Sequence, residues 1–232
     1  MPAFMGSLDL SQARLVAQGG VRFVYEHDDF PGMLIKVYKP DAIDDEGHFV
    51  GKKRKRMKFR RRLGAFVQVN REIAEFLAFQ ARRSNRGEQW PIAKMFGFVE
   101  TEIGLGVLTQ KLTAPDGGLA PTLVALVRGR QFSPRHRAAL QRFLQDLEER
   151  HICMCDPHPS NIVFAGDIEN GGRFVAIDGL GAKTLLPVRD WFKFFNARRT
   201  RRNAQRIWKF VDGLGKASTE PAPAVGLAGV QA

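Results

Sequence analysis

The most constraining feature of this chain is the segment at residues 151–181, HICMCDPHPSNIVFAGDIENGGRFVAIDGLG. Two short apolar stretches in it, residues 162–164 and 174–177, lie on either side of a polar turn that contains Gly171 and Gly172. Apolar, β-prone stretches around such a turn predict a β-hairpin. The two strands of a hairpin lie side by side, so the loop that enters the first strand and the loop that leaves the second meet at one end.

Three polar residues stand in those two loops. Asp156 and Asn161 precede the first predicted strand, and Asp178 follows the second. Their side chains are therefore expected to converge, and carboxylate and amide oxygens are ligands that Mg²⁺ accepts beside phosphate oxygens. A purely structural role is the alternative, because Asp and Asn side chains also bond to nearby backbone amides in turns.

The chain of 232 residues is strongly basic, with a net charge of +12. The excess is concentrated, since nine of the eleven residues at 52–62 are Lys or Arg and a second basic group lies at 198–206. Clustered positive charge indicates a polyanionic partner such as a nucleotide, RNA or an anionic membrane surface. A solvated charged loop also explains the first run, and a packed amphipathic helix also explains the second.

Cysteine usage and hydropathy favour a cytoplasmic protein. Cys153 and Cys155 are the two cysteines of the chain, too few and too close for a disulfide framework. No run of about 18 apolar residues is present to span a bilayer, and the first residues lack the pattern of a secretory signal. His151 and His158 lie nearby, but structural zinc sites favour Cys-x₂₋₄-Cys pairs, so we expect two inert thiols.

The beginning of the chain predicts a small sheet. Three strands are indicated by β-prone runs: residues 15–18, 21–26 and 33–39. Gly19 and Gly20 join the first two strands, either as an ordinary hairpin turn or as a loop whose backbone N–H groups approach phosphates. Lys36 lies among apolar neighbours in the third strand, so its side chain either extends to solvent or projects into a cleft.

A helix and a second hairpin follow. The spacing predicts a helix at residues 66–80, with Glu72 beside its apolar stripe rather than in the stripe's centre. The residues that recur at three- and four-residue steps and give this stripe are Phe66, Val69, Ile73, Phe76, Leu77 and Gln80. Apolar runs around a turn at residues 102–104 then predict strands at 96–101 and 105–112.

The rest of the chain is predicted to be mostly helical. Ser133 and Pro134 provide an N-cap and a first helical residue for one helix. A final helix is expected from Asp190, with five apolar residues in the core: Trp191, Phe194, Phe195, Ile207 and Trp208. From residue 216 the composition turns to Ala, Pro, Gly and Ser, which predicts a disordered tail at 216–232.

The order of these features resembles the protein-kinase-like fold: glycine loop, strand lysine, helix glutamate, hairpin, helix, Asp-x-x-x-x-Asn loop, hairpin and aspartate. More closely, the chain to about residue 212 resembles the PhoP-regulatory-network protein family of the YrbL type. The resemblance is carried by segments spread along the chain: GGVRFVYEH, LIKVYK, GFVETEIGLG, DGGLAPTL, NIVF, IDGLG and TLLPVRDW.

The resemblance implies a role for each candidate residue. Lys36 would bind the nucleotide phosphates with Glu72 as its ion-pair partner, and Asp156 would be the catalytic base. Asn161 and Asp178 would be the Mg²⁺ ligands. The residues that the resemblance implies around the nucleotide are Gly19, Gly20, Lys36, Gln110 and Leu112.

Several positions differ from the usual kinase motifs. Two adjacent glycines replace G-x-G-x-x-G, Met154 and Cys155 stand where His and Arg are usual, and Asp178 is followed by Gly-Leu-Gly. No Ala-Pro-Glu segment follows, and little chain after Asp178 remains for a peptide platform. We therefore expect a small or non-peptide phosphate acceptor.

Together these observations predict an α+β, protein-kinase-like fold with two lobes. The N-lobe, with the sheet and one helix, is assigned to residues 1–112 and the mostly helical C-lobe to 113–215. The predicted function is an ATP- and Mg²⁺-dependent phosphotransferase. Two alternatives stay open: a pseudokinase-like module that binds a nucleotide or a partner without turnover, and a basic protein that binds RNA or an anionic surface.

Overall fold

The computed structural model of the protein describes residues 7–50, 62–82, 89–181 and 193–217. These residues form a mixed α+β fold. It contains a five-stranded antiparallel sheet, a separate two-stranded hairpin and four α-helices within the described ranges. The predicted combination of a small antiparallel sheet with several helices is therefore confirmed.

The sheet is built from two groups of consecutive strands. Its members are β1 (Arg14–Gln18), β2 (Arg22–Glu26), β3 (Met33–Tyr38), β4 (Met95–Thr101) and β5 (Gly104–Gln110). Their spatial order is β1-β2-β3-β5-β4. β3 and β5 are therefore hydrogen-bonded neighbours, although a helix and β4 lie between them in the sequence. All five strands lie within two residues of their predicted positions.

Alternation along β3 gives the sheet two different faces. Ile35 and Val37 are completely buried in an apolar cluster on one face. Lys36 and Tyr38 point to the opposite face, because successive side chains of a strand alternate. Arg22 pairs directly with Tyr38 across β2 and β3, so this face carries two cations close together. Both belong to the candidate site described below.

The helix α1 (Val67–Ala81) packs on this second face. Two of its buried residues are carboxylic acids, Glu72 and Glu75, whereas Leu77 is 59% exposed. The predicted stripe was therefore wrong at Leu77 and in placing Glu72 beside the buried face. The reason is that the burial of both glutamates depends on partners from distant segments, such as the backbone N–H of Cys153, which donates to Glu75 at 2.8 Å.

The C-terminal half contains the main apolar core. Its elements are α2 (Leu123–Arg128), α3 (Pro134–Glu149), β6 (Ile162–Ala165), β7 (Arg173–Ala176) and α4 (Lys193–Ala217). The hairpin of β6 and β7 confirms the central sequence prediction. Ser133 caps α3 through a reciprocal pair of hydrogen bonds with His136, and Ile207 is buried in the core as predicted. The short helix α2 was not predicted.

Backbone pairing holds the β6–β7 hairpin against the start of β4. The backbone N–H of Ala176 donates to the carbonyl of Pro91, and the N–H of Ala93 donates to the carbonyl of Ala176, each at 2.9 Å. A side chain from β3 also reaches the end of the hairpin, since Lys36 bonds to the carbonyl of Ile177, the residue after β7. The loop that follows β7 therefore lies beside the face that carries Lys36.

Some predictions fall outside the described residues. They concern most of the basic run, at 52–61, together with Trp191 and the tail at 218–232; the side chains of Phe194 and Phe195 are likewise not described. The division of the chain into lobes after residue 112 stays a prediction.

Candidate functional site

The loops before and after the β6–β7 hairpin are joined to each other. The carbonyl of Gly179 accepts hydrogen bonds from the backbone N–H groups of Cys155 and Asp156, at 2.8 and 3.1 Å. Asn161 Nδ2 donates to the carbonyl of Asp156 at 3.1 Å, and the N–H of Ile177 donates to the carbonyl of Asn161 at 2.9 Å. The structure therefore brings the segments of Asp156, Asn161 and Asp178 together at one end of the hairpin.

Gly179 is required by this close approach. Its φ is +74°, a backbone conformation that side chains disfavour. A Cβ atom there would lie 2.6 Å from the carbonyl oxygen of Asp156 and 3.1 Å from Asn161 Nδ2. Any other residue would push apart the two loops that carry the predicted base and the predicted metal ligands.

The predicted residues differ in exposure. Asp156 is exposed, Asn161 is half-buried, and Lys36 is buried. Lys36 Nζ donates to the carbonyl of Ile177 at 2.7 Å, which ties β3 to the residue before Asp178. Burial lowers the pKa of Lys36, whereas the negative charge of Asp178 acts against that shift.

Asp178 is the centre of a buried cluster that the sequence did not reveal. Its carboxylate accepts a hydrogen bond from Arg22 Nη2, one from Gln68 Nε2 at 2.9 Å and one from the N–H of Gly179 at 2.6 Å. Arg22 Nη2 also lies 3.6 Å from Glu72 Oε1. Glu72 is thus ion-paired with Arg22, while Lys36 bonds to the backbone.

Charge and burial shift the pKa values of this cluster in opposite directions. Burial works to raise the pKa of Asp178, but Arg22 and Lys36 outweigh burial and hold that pKa well below its usual range. Burial and the neighbouring charge of Asp178 raise the pKa of Glu72 to about 7. For Arg22, burial is outweighed by the charges of Asp178 and Glu72, which raise its pKa. Asp178 and Arg22 are therefore both charged at neutral pH.

An apolar cavity of about 150 Å³ adjoins Lys36. Its apolar walls include Val24 on β2, Leu112 just after β5 and Val163 on β6. Thr109 and Gln110 are polar residues on its lining, and the Oγ1 atom of Thr109 is buried without a hydrogen-bond partner among the described residues. Two predicted nucleotide-binding residues, Gln110 and Leu112, therefore lie at this cavity together with Lys36.

The other two residues of that predicted set lie at the edge of the sheet. Gly19 and Gly20 are exposed in the turn between β1 and β2, and the N–H of Gly19 donates to the carbonyl of Arg22 at 2.8 Å. Neither glycine lines the cavity. Their predicted contact with phosphates stays a prediction.

The donor set at the hairpin end fits a magnesium ion. Asn161 uses its Nδ2 toward Asp156, which leaves its Oδ1 as an acceptor, and Asp178 provides a charged carboxylate. Mg²⁺ is bound in proteins by one or two such groups together with water and phosphate oxygens. An ion bound at Asp178 would have to compete with Arg22 for the carboxylate.

A second group of possible ligands lies elsewhere, in the segment after β3. One ligand atom from each of Asp44, Glu46 and His48 lies within 4.8 Å of the others. Within the described residues, the cysteines and histidines near Cys153 do not form such a group. Cys155 is buried, with its Sγ 3.5 Å from the carbonyl of Leu180.

Sequence reasoning missed two members of the cluster, Arg22 and Gln68. Arg22 lies near the start of a predicted strand, two residues after Gly20, where an arginine is usually exposed to solvent. The one available signal was its position: on β2 it lies two residues from Val24, which faces the same side as Lys36. A face that holds a buried lysine requires nearby compensating charges.

No helix within the described residues is both long and apolar enough to cross a membrane. The cytoplasmic location stays a prediction.

Comparison with known proteins identifies the relatives of this chain. Residues 8–212 match the family model described as PhoP regulatory network protein YrbL. Two uncharacterized YrbL proteins, from Escherichia coli strain K12 and from Shigella flexneri, are each 26% identical over 144 residues. The alignment covers 60% of this chain and 67% of each relative. The match over nearly all of the described residues shows that the chain belongs to the PhoP regulatory network protein YrbL family.

Proposed function

We propose that this protein is an ATP- and Mg²⁺-dependent phosphotransferase with a protein-kinase-like fold, acting on a small or non-peptide acceptor. One observation carries the proposal. The buried Lys36 lines an apolar cavity together with Ile177, and Ile177 directly precedes the charged Asp178 in the loop that meets the segments of Asp156 and Asn161. These are the parts that phosphoryl transfer needs, because its catalysis consists mostly of positioning and charge neutralisation.

The cavity suits the base of a nucleotide. Its walls are mainly apolar, and Thr109 and Gln110 are polar groups that could fix the orientation of a planar heterocycle. Lys36 lines the cavity on the side of the hairpin end, so a base in the cavity would direct its phosphates toward Asp178 and Asn161. An apolar cavity for the base, followed by a lysine and then by a carboxylate for a metal ion, supports a nucleotide ligand.

Each residue at the hairpin end then has a chemical role. Asn161 and Asp178 would hold Mg²⁺, which neutralises phosphate charge when it is bound. Lys36 supplies a positive charge for the phosphates. The exposed carboxylate of Asp156 accepts the proton of an acceptor hydroxyl, and its loop is fixed in place by the carbonyl of Gly179.

The proposed acceptor class follows from the elements around Asp156. In the described part of the matched region, α4 is the helix that follows Asp178, and it packs on the main core through Ile207 and Val211. Those residues are thus committed to packing, which supports a small acceptor over a bound peptide. Asp156 itself stays accessible to such a molecule.

A regulatory module without turnover is the second candidate, and the ion pair between Arg22 and Asp178 favours it. A carboxylate that is already engaged by a buried arginine is a weaker metal ligand until the arginine moves. The two candidates share nucleotide binding and differ in phosphoryl transfer. Turnover therefore separates them.

Thermal unfolding with ATP and Mg²⁺ tests the nucleotide site that both candidates share. A ligand that binds the folded state alone raises its stability, by about 2.7 kcal/mol at a concentration one hundred times its Kd. We expect ATP with Mg²⁺ to raise the midpoint and Lys36→Ala to abolish this effect. Lys209→Ala is a control, because Lys209 is exposed on α4 and is not among the residues that line the cavity. An equal shift in Lys36→Ala and wild type would contradict the proposed site.

A further inference from the structure

Arg22 is a buried cation whose hydrogen bonds and ion pairs within the described ranges do not use all of its donor groups. It stands on β2 with 6% of its surface exposed. Its Nη2 serves both Asp178 and Glu72, and its guanidinium carbon lies 5.8 Å from the centre of the Tyr38 ring. Arginine is seldom buried unless its charge and its N–H groups are satisfied.

One end of this guanidinium is left unsatisfied. Arg22 Nη1 is buried and has no hydrogen-bond partner within the part of the chain that the structure describes. A buried N–H donor without an acceptor is unfavourable, and more so on a charged group. Arg22 Nη1 can therefore donate to one more acceptor, and an anionic oxygen would satisfy both the positive charge and this donor.

The carboxylate of Asp178, in contrast, already has three donors. It accepts from Gln68 and Gly179 on Oδ1 and from Arg22 on Oδ2. A cation that approaches Oδ2 therefore meets the like charge of Arg22, which favours displacement of that side chain. Once displaced, Arg22 would keep Glu72 as a partner, since the two already lie 3.6 Å apart.

We propose that Arg22 exchanges partners when metal and nucleotide bind, leaving the carboxylate of Asp178 to the metal and donating to a nucleotide phosphate. The inference rests on the proposed function and adds a second phosphate-binding cation to Lys36. Arginine suits this exchange, because its planar fork can pair with a carboxylate in one state and with a phosphate in the other. The exchange makes metal binding weak in the absence of nucleotide. Each ligand then raises the affinity of the protein for the other.

Arg22→Gln separates the two halves of the exchange. We expect the variant to bind Mn²⁺ alone more tightly than wild type, measured by electron paramagnetic resonance of the unbound ion, because Asp178 loses its internal cation. We expect the affinity for Mg²⁺-ADP, measured by calorimetry, to fall about tenfold or more, the usual effect of a lost hydrogen bond to a charged group. Neither measurement requires turnover.

Arg14→Gln is the matched control. Arg14 stands on the neighbouring strand β1 and pairs at 2.5 Å with Glu26, but 73% of its side chain is exposed. The chemical change is the same, but Arg14 is exposed and pairs with Glu26 rather than with Asp178, so both affinities should keep their wild-type values. A change in both variants alike would assign the effect to net charge and would overturn the exchange.

Arg22→Lys keeps the proposal testable if Arg22→Gln does not fold, because it retains the buried positive charge. The lysine variant should still exclude Mn²⁺ and should bind Mg²⁺-ADP several-fold more weakly, since an ammonium lacks the planar fork. Wild-type affinity for Mg²⁺-ADP in either Arg22 variant overturns the exchange, even if Mn²⁺ binding changes. Wild-type protein that binds no nucleotide overturns the proposed function as well, so the two failures are distinguishable.

Discussion

The protein holds ion pairs in two contrasting environments. In the candidate site, Arg22 and Asp178 have side chains that are 8% and 25% exposed, and Glu72 is 7% exposed. Between α3 and α4, Arg137 pairs with Asp212, and about half of each side chain is exposed to solvent. The two pairs use the same chemistry at very different desolvation costs.

The two pairs are expected to contribute differently to the free energy of unfolding. An exposed pair gains little and costs little, with a median contribution of about 0–1 kcal/mol. A buried pair often contributes no more than well-packed apolar residues would, although breaking it is strongly unfavourable. The exposed pair therefore needs no role beyond the surface of the helices, and it is the cost of burying the cluster that we relate to the proposed function.

Asp178→Ala should give the largest effect, since it breaks the buried cluster. The substitution leaves Arg22 with Glu72 as its remaining carboxylate, and we expect a loss of about 3 kcal/mol in the free energy of unfolding. It should also abolish the Mg²⁺-dependent part of the ATP thermal shift. Urea unfolding monitored by circular dichroism measures the first effect.

Asp212→Ala provides the comparison for that prediction. It breaks the exposed pair with Arg137 and should lower the free energy of unfolding by less than about 1 kcal/mol. Equal losses in the two variants would show that burial does not distinguish the two pairs.

Asp156→Asn tests the exposed carboxylate beside the buried cluster. The amide keeps the shape of the side chain but cannot accept a proton, so ATP hydrolysis or autophosphorylation should fall by about 10²-fold or more. Nucleotide affinity should change little, because Lys36, Asn161 and Asp178 are intact. Activity equal to wild type would exclude Asp156 as the base, and no turnover in either protein would favour the regulatory module.

Glu72 gives the cluster a pH dependence that an exposed glutamate lacks. Its pKa is raised from 4.5 to about 7 in the folded protein, so between these values the folded state binds more protons than the unfolded state. Its contribution to the free energy of unfolding is therefore full at low pH and falls as the pH rises from about 4.5 to about 7. Glu72→Gln should flatten this part of the stability profile, measured by urea unfolding at a series of pH values.

Glu148→Gln is the control for the pH profile. Glu148 pairs with the exposed Arg201 at 2.6 Å, and 30% of its own side chain is exposed. The variant leaves Glu72 and its neighbours in place, so the slope that Glu72 produces between pH 4.5 and about 7 should remain. A flattened slope in this variant would mean that the pH dependence does not come from the buried cluster.

The smallest effect is expected at the exposed basic face of α4. Arg198, Arg202 and Arg206 are exposed there, whereas Arg201 is ion-paired with Glu148. If this face binds RNA or anionic vesicles, replacing these three exposed arginines by Gln should lower the salt dependence of binding by roughly one unit of slope per lost phosphate contact. Binding that is unchanged in the triple variant would leave the arginines as a solvated helix face.

The sequence predicted the parts of the fold that local pattern determines. The strands, the helix capped by Ser133 and the β6–β7 hairpin follow from alternation, capping and turn chemistry. The approach of Asp156, Asn161 and Asp178 followed from hairpin geometry. These features need few contacts between distant segments.

The charged cluster could not be predicted in the same way. Glu72 lies in an amphipathic helix and Arg22 at the start of the interior strand β2, and both are residue types whose usual environment is solvent. Their burial results from three segments that meet only in the folded chain: β2, α1 and the loop after β7. The lysine–glutamate pairing that the resemblance implied is replaced in this structure by an arginine–glutamate pair, which nothing in the local sequence around either residue indicates.

The carbonyl of Gly179 has a consequence for how the site moves. Because it accepts from the N–H groups of both Cys155 and Asp156, the segment that carries the base and the segment that carries Asp178 are linked through one oxygen atom. Neither segment can shift by an ångström without breaking a hydrogen bond or taking the other along. The two amides should therefore exchange their protons with solvent in a single opening event, and that event should slow whenever a ligand holds Asp178.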